Sequence, residues 1–126
     1  MSEKNSIKPL LASVLLEAKN LSHNFDYELF KNINLSLAKK ESIAIIGTSG
    51  SGKSTLLNIL SSLLKPTNGN VVFQSKDLYS LKQNELLKIR RDDFGIVFQA
   101  HYLFRGFSAL ENLNIATLLS HQDIDY

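Results

Sequence analysis

A chain of 126 residues, 44% hydrophobic and 21% charged, has the composition of a soluble globular protein and the length for one modest domain. Its formal charge is only +2 and its basic residues are spread along the chain, so no nucleic-acid footprint is visible. The absence of cysteine excludes a disulfide framework, a cysteine zinc site and a thiol nucleophile, and His23, His101 and His121 are too scattered to suggest a metal site.

Residues 1–10 read as a polar tail. The apolar run Leu10–Leu16 follows Lys4 and Lys8 but is short and passes straight into Glu17-Ala18-Lys19, so it reads as a first strand, about Leu11–Lys19, rather than a secretory signal. No stretch approaches the roughly 18 consecutive apolar residues of a membrane span, which predicts a soluble chain linked to a membrane only through a partner. Asn20–Glu28 is rich in turn formers. Ile33-Asn34-Leu35-Ser36-Leu37 alternates apolar with polar, the period of a half-buried strand, and Lys39-Lys40-Glu41 reads as a turn.

Ser42-Ile43-Ala44-Ile45-Ile46 predicts a buried strand, and the run from Leu56 through Leu64 predicts a helix with one apolar face. Lys65-Pro66-Thr67-Asn68-Gly69-Asn70 is a dense cluster of breakers and predicts a turn, followed by a short strand at Val71-Val72-Phe73. Leu78–Arg91 has mainly helical spacing, Gly95–Gln99 predicts another strand, and Ser108–Ser120 another helix. No repeat, low-complexity tract or linker divides the chain.

Between the strand at 42–46 and the helix after it lies Gly47-Thr48-Ser49-Gly50-Ser51-Gly52-Lys53-Ser54-Thr55, a full match to the phosphate-binding pattern G-x-x-x-x-G-K-[ST] in its strand–loop–helix context. Backbone N–H groups of such a loop converge on anionic oxygens, and the helix dipole adds a partial positive charge there. Gly47, Gly50 and Gly52 allow positive φ and keep side chains out of the cradle. Lys53 is expected on the β- and γ-phosphates, the Ser54 hydroxyl on Mg²⁺, and Thr55 as a further phosphate donor.

The strand ending in Phe98-Gln99, followed by Ser108-Ala109-Leu110-Glu111-Asn112-Leu113, resembles the glutamine-loop region of ABC-transporter ATPase subunits. Phe30–Leu35 and Lys65–Val71 resemble that family's segments on either side of the phosphate loop, so the resemblance runs from about Val14 to Leu119. Arg90-Arg91, Phe94–Gln99 and His101-Tyr102-Leu103 are most similar to the lipoprotein-releasing (LolD-type) and macrolide-exporter branch.

The resemblance implies an α/β P-loop NTPase fold of the ABC ATPase type. It would be a single nucleotide-binding domain over residues 1–126, with a nucleotide-binding core at about 11–99 and the start of a helical subdomain at about 100–126. It implies ATP and Mg²⁺ as ligands, a second ATP-binding subunit and transmembrane permease subunits as partners, and a place on the inner face of the cytoplasmic membrane. It gives Phe25 the role of stacking on adenine, with Tyr27 as second choice. Gln99 takes the glutamine that meets Mg²⁺ or the attacking water. Tyr102, Leu103, Phe104 and Phe107 are either the surface that meets the membrane partner or a locally packed cluster; the residues themselves leave both open.

The family's serine-glycine-glycine signature loop, its apolar strand ending in Asp-Glu and its switch histidine do not occur in these 126 residues. Phosphoryl transfer relies on several such groups acting together. The sequence therefore predicts the amino-terminal half of such an ATPase, prone to aggregate through uncovered sheet edges and unable to hydrolyse ATP usefully alone. Two other readings remain: an inert or merely nucleotide-binding remnant, and another P-loop enzyme. A GTPase would need an Asn-Lys-x-Asp guanine reader, which is absent.

Overall fold

The computed structural model describes residues 13–120. The polar tail at 1–10, the start of the first strand at Leu11 and residues 121–126 lie outside that range. The chain divides between Leu81 and Lys82 into two compact units. That division rests on contacts and is separate from the subdomain boundary near residue 100 implied by the resemblance.

The first unit is built on an antiparallel sheet. Strand β1 (Val14–Asn24) pairs on one side with β2 (Glu28–Ala38) and on the other with β3 (Asn68–Phe73), which in turn pairs with the two-residue β4 (Lys76–Asp77). The strand order is β2-β1-β3-β4. In the first half of β1, Leu16 and Ala18 point inward and meet Phe73 and Val71 across the ladder. Period-two alternation would next bring Asn20 and Ser22 to the core. Instead Asn20 adopts φ 50°, the register slips, and Leu21 and His23 become the buried residues. The Asn20 N–H, freed from the ladder, donates to Asn34 Oδ1 at 2.9 Å. The turn expected at Asn20–Glu28 is thus corrected: Asn20 is a bulge within the strand, and the reversal is confined to Phe25-Asp26-Tyr27.

The alternation at Ile33, Leu35 and Leu37 is present in β2 as half-buried residues. Helix α1 (Lys53–Leu60) contributes Leu56, Ile59 and Leu60 to the core, whose fully buried members are Leu21, Ile59, Val71 and Leu78. The helix is shorter than the apolar spacing predicted. Ser61 Oγ donates back to Leu57 O at 2.8 Å, and Ser62 takes φ 67°, so Leu63 and Leu64 lie beyond the last turn.

The expected helix over 78–91 is two elements. Asp77 caps a 3₁₀ turn at Leu78–Ser80 by accepting the Tyr79 N–H at 3.1 Å. The Tyr79 hydroxyl lies 2.5 Å from the carbonyl oxygens of both Ile59 and Leu64, which pins this turn to the end of α1. The chain leaves it extended at Leu81, and α2 (Gln83–Asp93) starts afresh with the Glu85 carboxylate on the Lys82 N–H.

Two expected strands are not formed. Ser42–Ile46 has no ladder partner and Ile46 is 90% exposed; Gly95–Gln99, in the second unit, is likewise unpaired, with Val97 96% exposed. A continuous apolar run is the mark of a strand flanked on both sides and covered on both faces. Among the described residues no strand lies beside either run, and neither forms a ladder.

In the second unit, α3 (Ala109–Ser120) begins with a capping box: Glu111 N–H donates to Ser108 Oγ at 3.2 Å, and the Glu111 carboxylate accepts the Ser108 N–H at 2.7 Å. The backbone bond, with the serine side chain second, holds the Glu111 carboxyl below the usual carboxylate range. Because the folded value is depressed, this stabilisation is fully present above the ordinary glutamate value, about 4.3, and is lost as pH falls through the folded value. Amide-exchange protection in the first turn of α3 is expected to fall at acid pH, and in Glu111→Gln to be weaker at neutral pH with a flatter acid profile. A wild-type profile that is flat below about pH 5 contradicts this account of the cap.

Candidate nucleotide-binding loop

The segment after Ile46 folds tightly. Ser51 N–H bonds to Thr48 O at 3.3 Å, Gly50 takes φ 79° and Gly52 takes φ 92° as the N-cap of α1. Gly52 is required on two counts. Its backbone is left-handed, and a Cβ there would lie 2.9 Å from both Leu29 Cγ and Phe30 Cδ1 of β2. The expectation of positive φ does not hold for Gly47. At that position a Cβ would sit 2.8 Å from Ser51 Oγ, the tip of a side chain that can turn away, and 3.6 Å from Ser51 Cβ, so neither backbone sign nor fixed crowding demands glycine there.

Lys53 opens α1 and folds back across the loop. Its Nζ donates to Gly47 O at 2.9 Å and to Thr48 O at 2.6 Å, so the cation stands over the loop's first turn. The helix behind it has no side-chain cap and no acidic residue in its first turn, leaving its N-terminal N–H groups and positive dipole end to other partners. Ser49 and Ser54 are exposed and Thr55 is half-buried. Against the loop lies a pocket of about 310 Å³ lined by Phe30, Ile33, Ile45 and Leu56 together with Gly47, Gly52 and Lys53 of the loop.

Phe25, in the β1–β2 turn, is 56% exposed; Tyr27 in the same turn is also exposed. Phe25 reaches the loop through three packing steps: its ring meets His23, the His23 ring lies 6.3 Å from that of Phe30, and Phe30 abuts Gly52. Gln99 belongs to the second unit and is exposed in the bend that follows residue 98.

The segment beyond Gln99 is exposed and aromatic. Phe98 packs edge-on to Tyr102 and Phe104 edge-on to Phe107, while Leu103 is exposed beside them. Asn112 holds this segment in place. Its Oδ1 accepts the Phe104 N–H at 2.8 Å, and its Nδ2 faces the carbonyls of Phe104, Phe107 and Ser108 at 3.4, 3.3 and 3.0 Å. Sequence reasoning found neither this clamp nor the Ser108–Glu111 box. The box was legible as Ser-x-x-Glu before an apolar run; the clamp had no local signal, because Asn112 reaches eight residues back.

The protein-family model described as "ABC transporter" matches residues 30–125. The chain belongs to the ABC transporter family. It is 38% identical over 118 residues to the lipoprotein-releasing system ATP-binding protein LolD of Wigglesworthia glossinidia brevipalpis, covering 90% of this chain and 52% of that protein. It is 41% identical over 95 residues to the macrolide export ATP-binding/permease protein MacB of Shewanella sp. (strain ANA-3), covering 75% of this chain and 14% of MacB. Among solved structures, a dimeric ATP-binding cassette in a post-hydrolysis state bound to ADP and Pi superposes with TM-score 0.79 at 36% identity, over 89% of this chain and 50% of that one. The chain thus spans about half the length of the LolD proteins it matches. Its fold is part of the α/β P-loop NTPase cassette of the ABC family, comprising the antiparallel sheet, the phosphate loop with its helix, and the first helices beyond. Among the described residues no helix is long and apolar enough to cross a membrane.

Proposed function

We propose that this chain binds Mg-ATP through Gly47–Thr55 as the ATP-binding part of an ABC transporter of the lipoprotein-releasing or macrolide-exporting kind. The observation that carries this reading is the lysine cation held over a glycine loop at an uncapped helix N-terminus. A phosphate arriving there exchanges neutral carbonyl partners of Lys53 for anionic oxygens, which make the stronger, charge-assisted bonds. Backbone N–H groups of Gly50 and of Gly52 to Thr55 take the remaining oxygens, and Phe25 stacks on the base.

Among the described residues no three His, Asp or Glu side chains cluster as a metal cage. Mg²⁺ would be held by the nucleotide's own phosphates, with the Ser54 hydroxyl and, as the family resemblance implies, the Gln99 carbonyl as protein ligands. Gln99 would also orient the attacking water. The likeness to LolD and MacB supports transmembrane permease subunits as partners, reached through the exposed aromatic segment 102–107. It likewise supports a second ATP-binding subunit, and a position on the cytoplasmic face of the membrane.

The test is a titration of the purified chain with a ribose-labelled fluorescent ATP analogue, with and without Mg²⁺. A saturable signal, strengthened by Mg²⁺ and competed by unlabelled ATP, is expected; its absence sinks the proposal. A companion assay is expected to give no phosphate release above a Lys53→Ala control, because the 126 residues contain no Leu-Ser-Gly-Gly and no apolar strand ending in Asp-Glu. Turnover above that control overturns the view that these residues bind without hydrolysing.

A further inference from the structure

His23 stands apart from every role assigned so far. It is 6% exposed, Nδ1 is 3.5 Å from Thr67 Oγ1, and its buried Nε2 has no hydrogen-bond partner among the described residues. An unmade hydrogen bond in a buried ring is a cost to stability that an aliphatic side chain of similar volume would remove. Packing alone therefore does not explain an imidazole here. What the ring does make are two aromatic contacts. Its centroid lies 4.7 Å from that of Phe25 at an interplanar angle of 84°, and 6.3 Å from that of Phe30 at 35°.

The perpendicular contact has a directional result. Two rings meeting edge to face occupy at most one face of Phe25, so His23 leaves the other face clear while fixing the plane of the ring. The backbone beneath is fixed as well. Phe25 N–H donates to Tyr27 O at 3.0 Å, and Asn24 N–H donates at 3.0 Å to Thr67 Oγ1, the hydroxyl that faces His23. Thr67 N–H in turn donates to Ser22 O at 3.0 Å. The exposed phenyl ring is thus mounted on an anchored turn, with the buried His23 ring setting its orientation and the half-buried Phe30 ring continuing to the Gly52 backbone of the phosphate loop.

We propose that His23 is a positioning residue for nucleotide binding: its buried ring holds Phe25 edge-on, presenting a free phenyl face to the nucleotide's base at a fixed place relative to the phosphate loop. The inference rests on the reading of Phe25 as the base-stacking residue. Its signature is selective: it affects the base and leaves the phosphates alone.

The experiment compares a ribose-labelled fluorescent ATP analogue with inorganic tripolyphosphate, used as a competitor that carries no base, on the full 126-residue chain. Phe25→Ala and His23→Leu are each expected to weaken the analogue about tenfold, the scale of one lost base–aromatic stack, with tripolyphosphate competition unchanged. His23→Leu keeps the buried volume, so folding is retained and the unchanged tripolyphosphate binding verifies it. His23→Phe restores a flat ring and is expected to bind the analogue as the wild type does. Normal analogue binding by His23→Leu, with Phe25→Ala impaired, overturns the role of His23 and leaves the base-stacking reading intact. Equal loss of tripolyphosphate in His23→Leu, or no recovery in His23→Phe, also overturns it, since either marks a general structural role. Normal binding by Phe25→Ala removes the base-stacking reading itself, and the inference with it.

Discussion

Replacing Lys53 by alanine is expected to lower the affinity for an Mg-bound fluorescent ATP analogue by about 100-fold or more, the loss of two charge-assisted contacts to phosphate oxygens. The unfolding midpoint should barely move. The contacts that Lys53 makes in the structure, to Gly47 O and Thr48 O, are exposed, and water replaces them at little cost. Lys53→Arg should also bind poorly, because a planar five-donor fork is larger than the point charge the loop surrounds. Undiminished binding by the alanine variant, measured by equilibrium titration, would remove phosphate recognition from this loop altogether.

The second large effect is expected at Gly52. Alanine there incurs the left-handed backbone penalty of about 1–2 kcal/mol and overpacking against Leu29 and Phe30 of about 1–3 kcal/mol. Against a total stability of about 5–15 kcal/mol for a natural domain, this is a large fraction, read as a lowered denaturation midpoint. Nucleotide binding should fall with it, since relief of the clash moves the first turn of α1. Gly50→Ala supplies the contrast. Its φ of 79° carries the same backbone penalty, but no atom lies within 4 Å of the added Cβ, so its midpoint should drop distinctly less. Equal destabilisation by the two substitutions would show that backbone sign, not contact with β2, governs the loop.

The phosphate loop is legible in the sequence because its chemistry is local: nine consecutive residues carry glycines, lysine and hydroxyls in fixed order. The half-buried alternation of β2 and the helix after Lys53 are legible for the same reason. What the sequence misleads on depends on partners distant in the chain. Ile43–Ile46 and Gly95–Gln99 carry the composition of buried strands, yet a strand exists only where a neighbour supplies its hydrogen bonds, and composition does not reveal whether one is present. The bulge at Asn20 is hidden in another way. Asparagine there reads as a turn former, and only the resumption of the ladder at Leu21–Ile33 and the burial of Leu21 and His23 distinguish a one-residue slip from the end of a strand. His23 itself reads as one of three scattered histidines, since its meaning comes from rings at positions 25 and 30. The roles of Phe25 and Gln99 come from family resemblance and are proposals to be tested by binding.

The clamp made by Asn112 gives the exposed aromatic segment a mechanical character. A loop tethered only at its ends would absorb a push at its tip by bending. Here one side chain on the first turn of α3 grips the backbone at Phe104, Phe107 and Ser108, so the segment is a bracket bolted to the helix. A displacement of the backbone at Phe104 or Phe107 is met first by the Asn112 amide, which ties both sites to α3.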